Sequence, residues 1–359
     1  MNFNAFFLKS FRVLLLPFAL LYGLAVTIRN FLYNKQYLRS AEFGLPLICI
    51  GNVAVGGTGK SPMVEYLVHL LRDKYKVATL SRGYKRKTKG YALAGEQTTA
   101  LDIGDEPMQF HLKFPDITVA VGEERLVAIP QLLHDRPETQ VILLDDAFQH
   151  RPVRAGMNIM LTDYNNLFTR DYFLPTGDLR DQRSSYKRAQ IIVVTKCPHN
   201  LSELERDRLL LEIAPLPGQR VYFTTIEYGT PYHIINRNAH HLAADDEVLL
   251  VCGIANPKPL KQYLNEQVAT YDLLDYNDHH IFRIDDLKDI RKKYEQLAGK
   301  RKIILTTEKD AVRLLKFKQE LDRLPLYVLP VRHGFLFNGT DQFNSQMIHF
   351  IENYQLHTA

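Results

Sequence analysis

The stretch Gly51-Asn52-Val53-Ala54-Val55-Gly56-Gly57-Thr58-Gly59-Lys60-Ser61 follows the apolar run Pro46-Leu47-Ile48-Cys49-Ile50 and precedes the helical pattern Met63-Val64-Leu67-Val68-Leu71. A buried strand that breaks into glycines and restarts as a helix at a lysine is a phosphate-binding loop. Glycines let backbone N–H groups close around phosphate oxygens, the helix N-terminus adds positive potential, and the lysine reaches the transferable phosphates. Val55, Gly56, Gly57, Thr58, Gly59, Lys60, Ser61 and Pro62 are therefore the expected nucleotide contacts, with Ser61 a magnesium ligand. The general pattern G-x-x-x-x-G-K-[ST] asks for glycine at position 54, where this chain has Ala54.

Downstream, apolar runs recur at 76–80, 117–121, 141–144, 159–161 and 191–194, each ending in polar residues and separated by helical stretches. That alternation predicts a mostly parallel sheet covered on both faces, with ligands at the carboxyl ends of its strands. A second set at 247–251, 302–305 and 326–329 predicts a smaller α/β domain, reached through a hinge near 220–230. The expected division is a membrane-associating helix at 1–40, a P-loop domain at 41–225 and a C-terminal domain at 226–359.

The 359 residues are 46% hydrophobic, enough for two buried cores, and the three cysteines, Cys49, Cys197 and Cys252, lie in or beside apolar runs without metal-ligand spacing. They read as core thiols in a reducing cytoplasm. Five basic residues (Lys9, Arg12, Arg29, Lys35, Arg39) and no acid occupy positions 1–41, and without them the chain has 40 basic and 40 acidic residues. The charge excess is local, which argues against nucleic acid and for a surface contact. Residues 13–28 are uncharged and apolar, short of the roughly 20 residues of a membrane span and interrupted by Pro17 and Gly23. A helix lying in the membrane interface, its flanking cations on anionic head groups, fits this pattern, and a buried core helix is the alternative.

Asp145-Asp146 ends the run at 141–144, where a P-loop enzyme places the carboxylate that holds magnesium against phosphate oxygens. Thr195-Lys196-Cys197-Pro198 lacks the aspartate that would pair with guanine, which disfavours GTP. Arg82-Gly83-Tyr84-Lys85-Arg86-Lys87-Thr88-Lys89 puts cations at a strand edge suited to an anionic acceptor, Arg82 first among them. Gly104-Asp105-Glu106-Pro107 reads as a turn opening a helix. Asp278-His279-His280 reads as a metal or acid/base cluster or as a surface feature, and spacing does not connect it to Asp105.

Taken in order, the loop at 51–62, Ser81-Arg82-Gly83-Tyr84, Gly104-Asp105-Glu106-Pro107, Asp145-Asp146-Ala147-Phe148-Gln149-His150, Leu174-Pro175-Thr176-Gly177-Asp178-Leu179-Arg180, Asp278-His279 and Thr307-Glu308-Lys309-Asp310 resemble the tetraacyldisaccharide 4'-kinase family of lipid A synthesis. The family's loop also lacks the first glycine. The resemblance implies ATP- and Mg2+-dependent phosphorylation of the 4'-hydroxyl of an acylated glucosamine disaccharide 1-phosphate, by a monomer at the cytoplasmic face of the bacterial inner membrane. It assigns Asp105 as the base toward the sugar hydroxyl, supported by His279, and makes Asp145, Asp146 and Asp181 candidate metal ligands with Arg82 and Arg125 as acceptor contacts. Where the family commonly has Glu-Pro after Leu-Arg, this chain has Asp181-Gln182, so a metal contact through water is the expectation there. A membrane-associated P-loop ATPase acting as a switch or assembly protein is the competing reading.

Overall fold

The computed structural model describes residues 12–354, so Lys9 and the first part of the N-terminal segment lie outside the described residues. The strands are β1 (Leu47–Asn52), β2 (Val77–Ser81), β3 (Ala92–Leu93), β4 (Thr118–Val121), β5 (Val141–Asp145), β6 (Met157–Asp163), β7 (Ile191–Thr195), β8 (Arg220–Tyr228), β9 (Tyr232–His233), β10 (Asp246–Cys252), β11 (Thr270–Asp275), β12 (Arg301–Thr307), β13 (Leu326–Leu329) and β14 (Val331–Phe335). Nine of them form one sheet in the order β14-β8-β7-β6-β1-β5-β2-β4-β3, and five form a second in the order β11-β10-β12-β13-β9. Both sheets are parallel except at their edges, where β14, β3 and β9 pair antiparallel. This is the expected α/β, P-loop NTPase-like core with a smaller α/β unit and an N-terminal apolar helix.

β1 lies at the centre, between β5 and β6, and all six of its residues are buried. Its alternate side chains enter two different cores, Leu47 and Cys49 on one face and Ile48 and Ile50 on the other, as the two-residue period of a strand requires. Cys49, Cys197 and Cys252 are buried free thiols, and burial pushes each up to about 12.

The expected hinge at 220–230 is occupied by β8, whose buried centre Tyr222–Thr225 belongs to the nine-stranded sheet. The chain instead crosses between sheets twice at one place. It leaves β8 at Gly229 and returns through Pro330, the single residue between β13 and β14, and the Gly229 N–H donates to the Pro330 carbonyl at 2.9 Å. β14 and the helix Gly339–Glu352, whose Phe343 and Met347 are fully buried, thus belong with the first sheet although they lie within 226–359.

The helix Leu16–Asn34 is regular through both residues expected to weaken it. Pro17 sits in the first turn, where a missing N–H costs nothing, and Gly23 is a contact point, since a Cβ there would meet the Phe173 ring at 2.7 Å. Only Ala19, Gly23 and Asn30 of this helix are buried. The core-helix alternative is therefore set aside.

A similar close approach fixes the start of the phosphate loop. A Cβ on Gly51 would lie 2.6 Å from Phe148 Cβ and 3.0 Å from its backbone nitrogen, whereas one on Gly57 would meet nothing within 4 Å. We expect Gly51→Ala to cost about 1–3 kcal/mol in urea unfolding through overpacking, and Gly57→Ala to leave the midpoint unchanged. Equal midpoints would refute this account of Gly51.

Candidate functional site

The loop from β1 to the helix Lys60–Leu71 takes positive φ at Gly56 (107°) and Gly59 (85°), a region that glycine enters without strain. Ala54 needs no such freedom. It bridges antiparallel to Leu179, and the next N–H, that of Val55, donates to the Asp178 carbonyl at 2.7 Å, so the position is extended backbone. The loop is held from three further directions: Asn52 Nδ2 donates to Thr58 Oγ1 (2.8 Å), Thr195 Oγ1 to the Thr58 carbonyl (2.9 Å), and His333 Nε2 to the Gly59 carbonyl (2.8 Å). His333 is buried, which depresses its pKa to about 4. The neutral ring carries its proton on Nε2 and accepts from Thr224 Oγ1 at Nδ1, 3.0 Å away.

Asp145 and Asp146 close β5, and their environments differ. Asp145 is 4% exposed and receives one hydrogen bond, from Ser81 at 3.3 Å, while its Oδ1 is buried without a partner. Burial, then the charges of Glu106 and Asp146, push its carboxyl up to about 7. Burial acts to raise Asp146 as well, but hydrogen bonds from Arg180 and the charge of Lys60 override it and hold that carboxyl at about 2. Arg180 grips Asp146 with both terminal nitrogens, Nη1 to Oδ2 at 3.0 Å and Nη2 to Oδ1, and Lys60 Nζ stands 3.5 Å from Oδ1. An unpartnered buried carboxylate oxygen beside a second carboxylate is a donor set that suits a hard divalent cation. Among the described residues there is no cluster of three His, Cys, Asp or Glu that would hold a metal ion.

Two expectations need correction. Asp181 is not free to hold a metal: Oδ1 accepts from Asn30 Nδ2 (2.7 Å) and from the Gln182 N–H (2.8 Å), and Oδ2 is paired with Arg188 (2.8 Å). It ties the N-terminal helix to the body. Arg125 is 2% exposed and spends its guanidinium on the carbonyls of Gly122 (2.8 Å), Glu123 (3.2 Å) and Asp145 (3.3 Å). It supports the floor of the site instead of presenting itself to an acceptor. Arg82 is exposed, whereas Arg86 in the same basic segment is turned inward onto Glu123 at 2.7 Å.

Asp105 opens the helix Asp105–Lys113 after Gly104 (φ 94°), and the structure brings His279 to it from the second sheet, with Nδ1 3.4 Å from Asp105 Oδ2. Sequence spacing did not reveal what joins them. Arg313 donates from Nε to Asp105 Oδ2 (2.8 Å), from Nη2 to His279 Nδ1 (3.0 Å) and from Nη1 to Asp310 Oδ1 (3.2 Å). His279 Nδ1 is therefore an acceptor, and its proton sits on Nε2. Asp310, fully buried, is fixed in turn by the Gly253 N–H (2.9 Å) and Thr307 Oγ1 (2.7 Å). The Thr307-Glu308-Lys309-Asp310 motif thus positions an arginine one helical turn beyond it, and an acid followed by a base three residues later was the available signal.

A family model described as tetraacyldisaccharide-1-P 4'-kinase matches residues 11–352. The chain is 43% identical over 351 residues to the tetraacyldisaccharide 4'-kinase of Bacteroides thetaiotaomicron, covering 94% of this chain and 92% of that one. It is 47% identical over 344 residues to the enzyme of the same name from Flavobacterium johnsoniae, covering 95% and 97%. It is also similar to the crystal structure of LpxK from Aquifex aeolicus in complex with ATP, with TM-score 0.75, 25% identity, and coverage of 95% and 99%.

The raised carboxyl of Asp145 has a stability consequence. Between about pH 4 and pH 7 the folded protein keeps a proton there that the unfolded chain releases, so this group's contribution to stability falls as pH rises through that window. In buffer free of divalent ions, Asp145→Asn is expected to raise stability at pH 8 by on the order of 2 kcal/mol and to change little at pH 4, as read by urea unfolding. A destabilised variant at pH 8 would contradict the assignment of a buried carboxylate with one unpartnered oxygen.

Proposed function

Since the chain belongs to the tetraacyldisaccharide-1-P 4'-kinase family and is an ATP-dependent 4'-kinase of lipid A biosynthesis, we propose that its transfer site is the gap between the 51–62 loop and the Asp105–Arg313–His279 cluster. One observation carries this reading. Ser81 at the end of β2 donates to Asp145 at 3.3 Å, and Gly83, two residues on, packs against Gly104, the residue before Asp105, where an added Cβ would lie 3.3 Å from Gly83 Cα, so the cluster and the paired aspartates adjoin one site. The acylated disaccharide 1-phosphate is the acceptor, and exposed Arg82 is the cation best placed at the strand edge to meet it.

In this scheme the loop's N–H groups and Lys60 hold the phosphate chain. Ser61, Asp145 and Asp146 would hold Mg2+, which when bound neutralises charge developing on the transferring phosphoryl group. Asp105 accepts the proton of the 4'-hydroxyl as its oxygen bonds to phosphorus and ADP departs. Arg313 keeps the accepting oxygen in place and fixes the tautomer of His279, leaving Nε2–H as a donor within the site.

We further assign the N-terminal helix to the cytoplasmic membrane surface. By length and composition alone Leu16–Asn34 would cross a membrane. However, bonds tie it to the body: Arg12, just ahead of the helix, to the Pro175 carbonyl (2.9 Å) and Asp178 (2.8 Å), and within it Tyr22 to the Arg180 carbonyl (3.0 Å), Arg29 to the Gln149 carbonyl (3.1 Å) and Asn30 to Asp181 (2.7 Å). A helix so held lies along the protein, and its outer face, with Phe18, Leu20, Leu21 and Leu24 each more than half exposed, enters the headgroup boundary.

Two measurements test these readings. Asp105→Asn is expected to lower turnover about 10²-fold or more on the acylated acceptor while ATP binding persists; wild-type turnover would remove Asp105 as the base. Alkaline extraction of membranes is expected to release the wild-type protein, as suits an interfacial helix; retention in the pellet would show that the helix spans.

A further inference from the structure

Asp146, assigned above as a metal ligand, has both oxygens covered by cationic groups of the protein itself. Arg180 takes it bidentate, Nη1 at 3.0 Å from Oδ2 and Nη2 on Oδ1, and Lys60 stands 3.5 Å from Oδ1. Arg180 Nη2 also rests on Asn52 Oδ1, while its Nε is buried without an acceptor, so the guanidinium is only partly satisfied where it sits. The backbone beneath it is pinned: the Arg180 N–H donates to the Val53 carbonyl (2.9 Å), its carbonyl accepts from Tyr22 (3.0 Å), and the neighbouring Asp181 is locked to Arg188 (2.8 Å) and Asn30 (2.7 Å). Any departure from Asp146 must therefore be a swing of the Arg180 side chain.

We propose that Arg180 is a resident counter-ion that occupies the metal's place on Asp146 until nucleotide arrives, so that the divalent cation enters with ATP and not ahead of it. The inference rests on Asp146 being a metal ligand. In the nucleotide-free site Arg180 takes both oxygens of Asp146 and Lys60 stands beside one of them, so a divalent cation approaching alone meets an occupied carboxylate and two cations next to it. The polyanionic phosphate chain reverses that balance. A guanidinium fork fits phosphate oxygens as well as it fits a carboxylate, so Arg180 can transfer to the phosphates and free Asp146 in the same step. Nucleotide and cation then strengthen each other's binding through one side chain, and by linkage the coupling is reciprocal. Arg180 is in this sense a positioning residue that enforces order of assembly.

The test is direct cation binding to the full-length protein, with no turnover required. Mn2+ affinity is measured by electron paramagnetic resonance with and without a non-hydrolysable ATP analogue, for wild type, Arg180→Gln and Arg180→Met, each checked by its unfolding midpoint. In wild type the analogue is expected to tighten Mn2+ binding at least about tenfold. Removing the guanidinium is expected to tighten nucleotide-free Mn2+ binding about tenfold and to shrink the gain from the analogue by a similar factor. The methionine variant keeps the stem volume should glutamine disturb folding. Nucleotide-free affinity equal to or weaker than wild type in a folded variant overturns the proposal. If wild type binds no Mn2+ even with the analogue, or Asp146→Asn binds it as wild type does, the metal assignment falls and this inference with it.

Discussion

The site depends on one constraint: within the eight residues after β1 the chain must leave a buried strand, reverse, and start a helix while leaving N–H groups for a phosphate. Gly56, Gly57 and Gly59 make no backbone N–H hydrogen bond among the described residues, so the loop cannot be held by its own ladder. It is held through its carbonyls and side chains instead, by Thr195 on the Thr58 carbonyl and by His333 on the Gly59 carbonyl. This division of labour keeps donors free and fixed before ligand arrives, the condition under which oriented dipoles stabilise phosphate charge without reorganising. It also explains why β14, late in the chain, must return to the first sheet: His333 is on it. A Cβ on Gly59 would lie 2.9 Å from that imidazole, so the tight approach and the left-handed φ both call for glycine.

What was legible in the sequence followed from local rules. Strand runs, the loop, and the acids at the end of β5 each carry their signal within a dozen residues, and the two-sided burial of a parallel sheet writes itself as apolar runs. Ala54 looked like a defect because the general pattern encodes a φ that this position does not use; its pairing with Leu179 could not be read from neighbours in sequence. The expected hinge at 220–230 rests on the Tyr-, Thr- and His-rich composition that begins there, yet in β8 the polar Thr224 and Thr225 are buried within the sheet, so composition alone hides the strand. Long-range pairings were the least legible. Asp105 meets His279 and Arg313 from more than 170 residues away in the chain, and no periodicity links an acid opening a helix of one unit to an arginine on a helix of the other.

The carboxylates show why residue type underdetermines role. Asp145, Asp146 and Asp181 all lie near the loop, and all were plausible ligands. What separates them is the partner already present. Asp181 is buried with a full set of donors and gains little from an ion, Asp146 is paired but its side chain is 36% exposed so that its cations can be exchanged, and Asp145 has a bare oxygen. A buried charge is costly unless paired, so the pattern of pairing sorts structural acids from functional ones more sharply than proximity does.

The same electrostatics join the two sheets. Lys113, on the helix that begins with Asp105, lies between Glu65 on the phosphate-loop helix and Glu308 on the second unit, and Glu308 also accepts from the Val331 N–H at 3.1 Å, beside the Pro330 crossing. Burial and then the charge of Glu308 push Glu65 up to about 7, with Lys113 opposing both. Separating the units here would leave a lysine facing one acid and strip Glu308 of its cation, a penalty that a polar but unpaired interface would not carry. A second tie between the units stands at the Asp105 end, where Arg313 donates to Asp105 at 2.8 Å, so paired charges join the two units at both places.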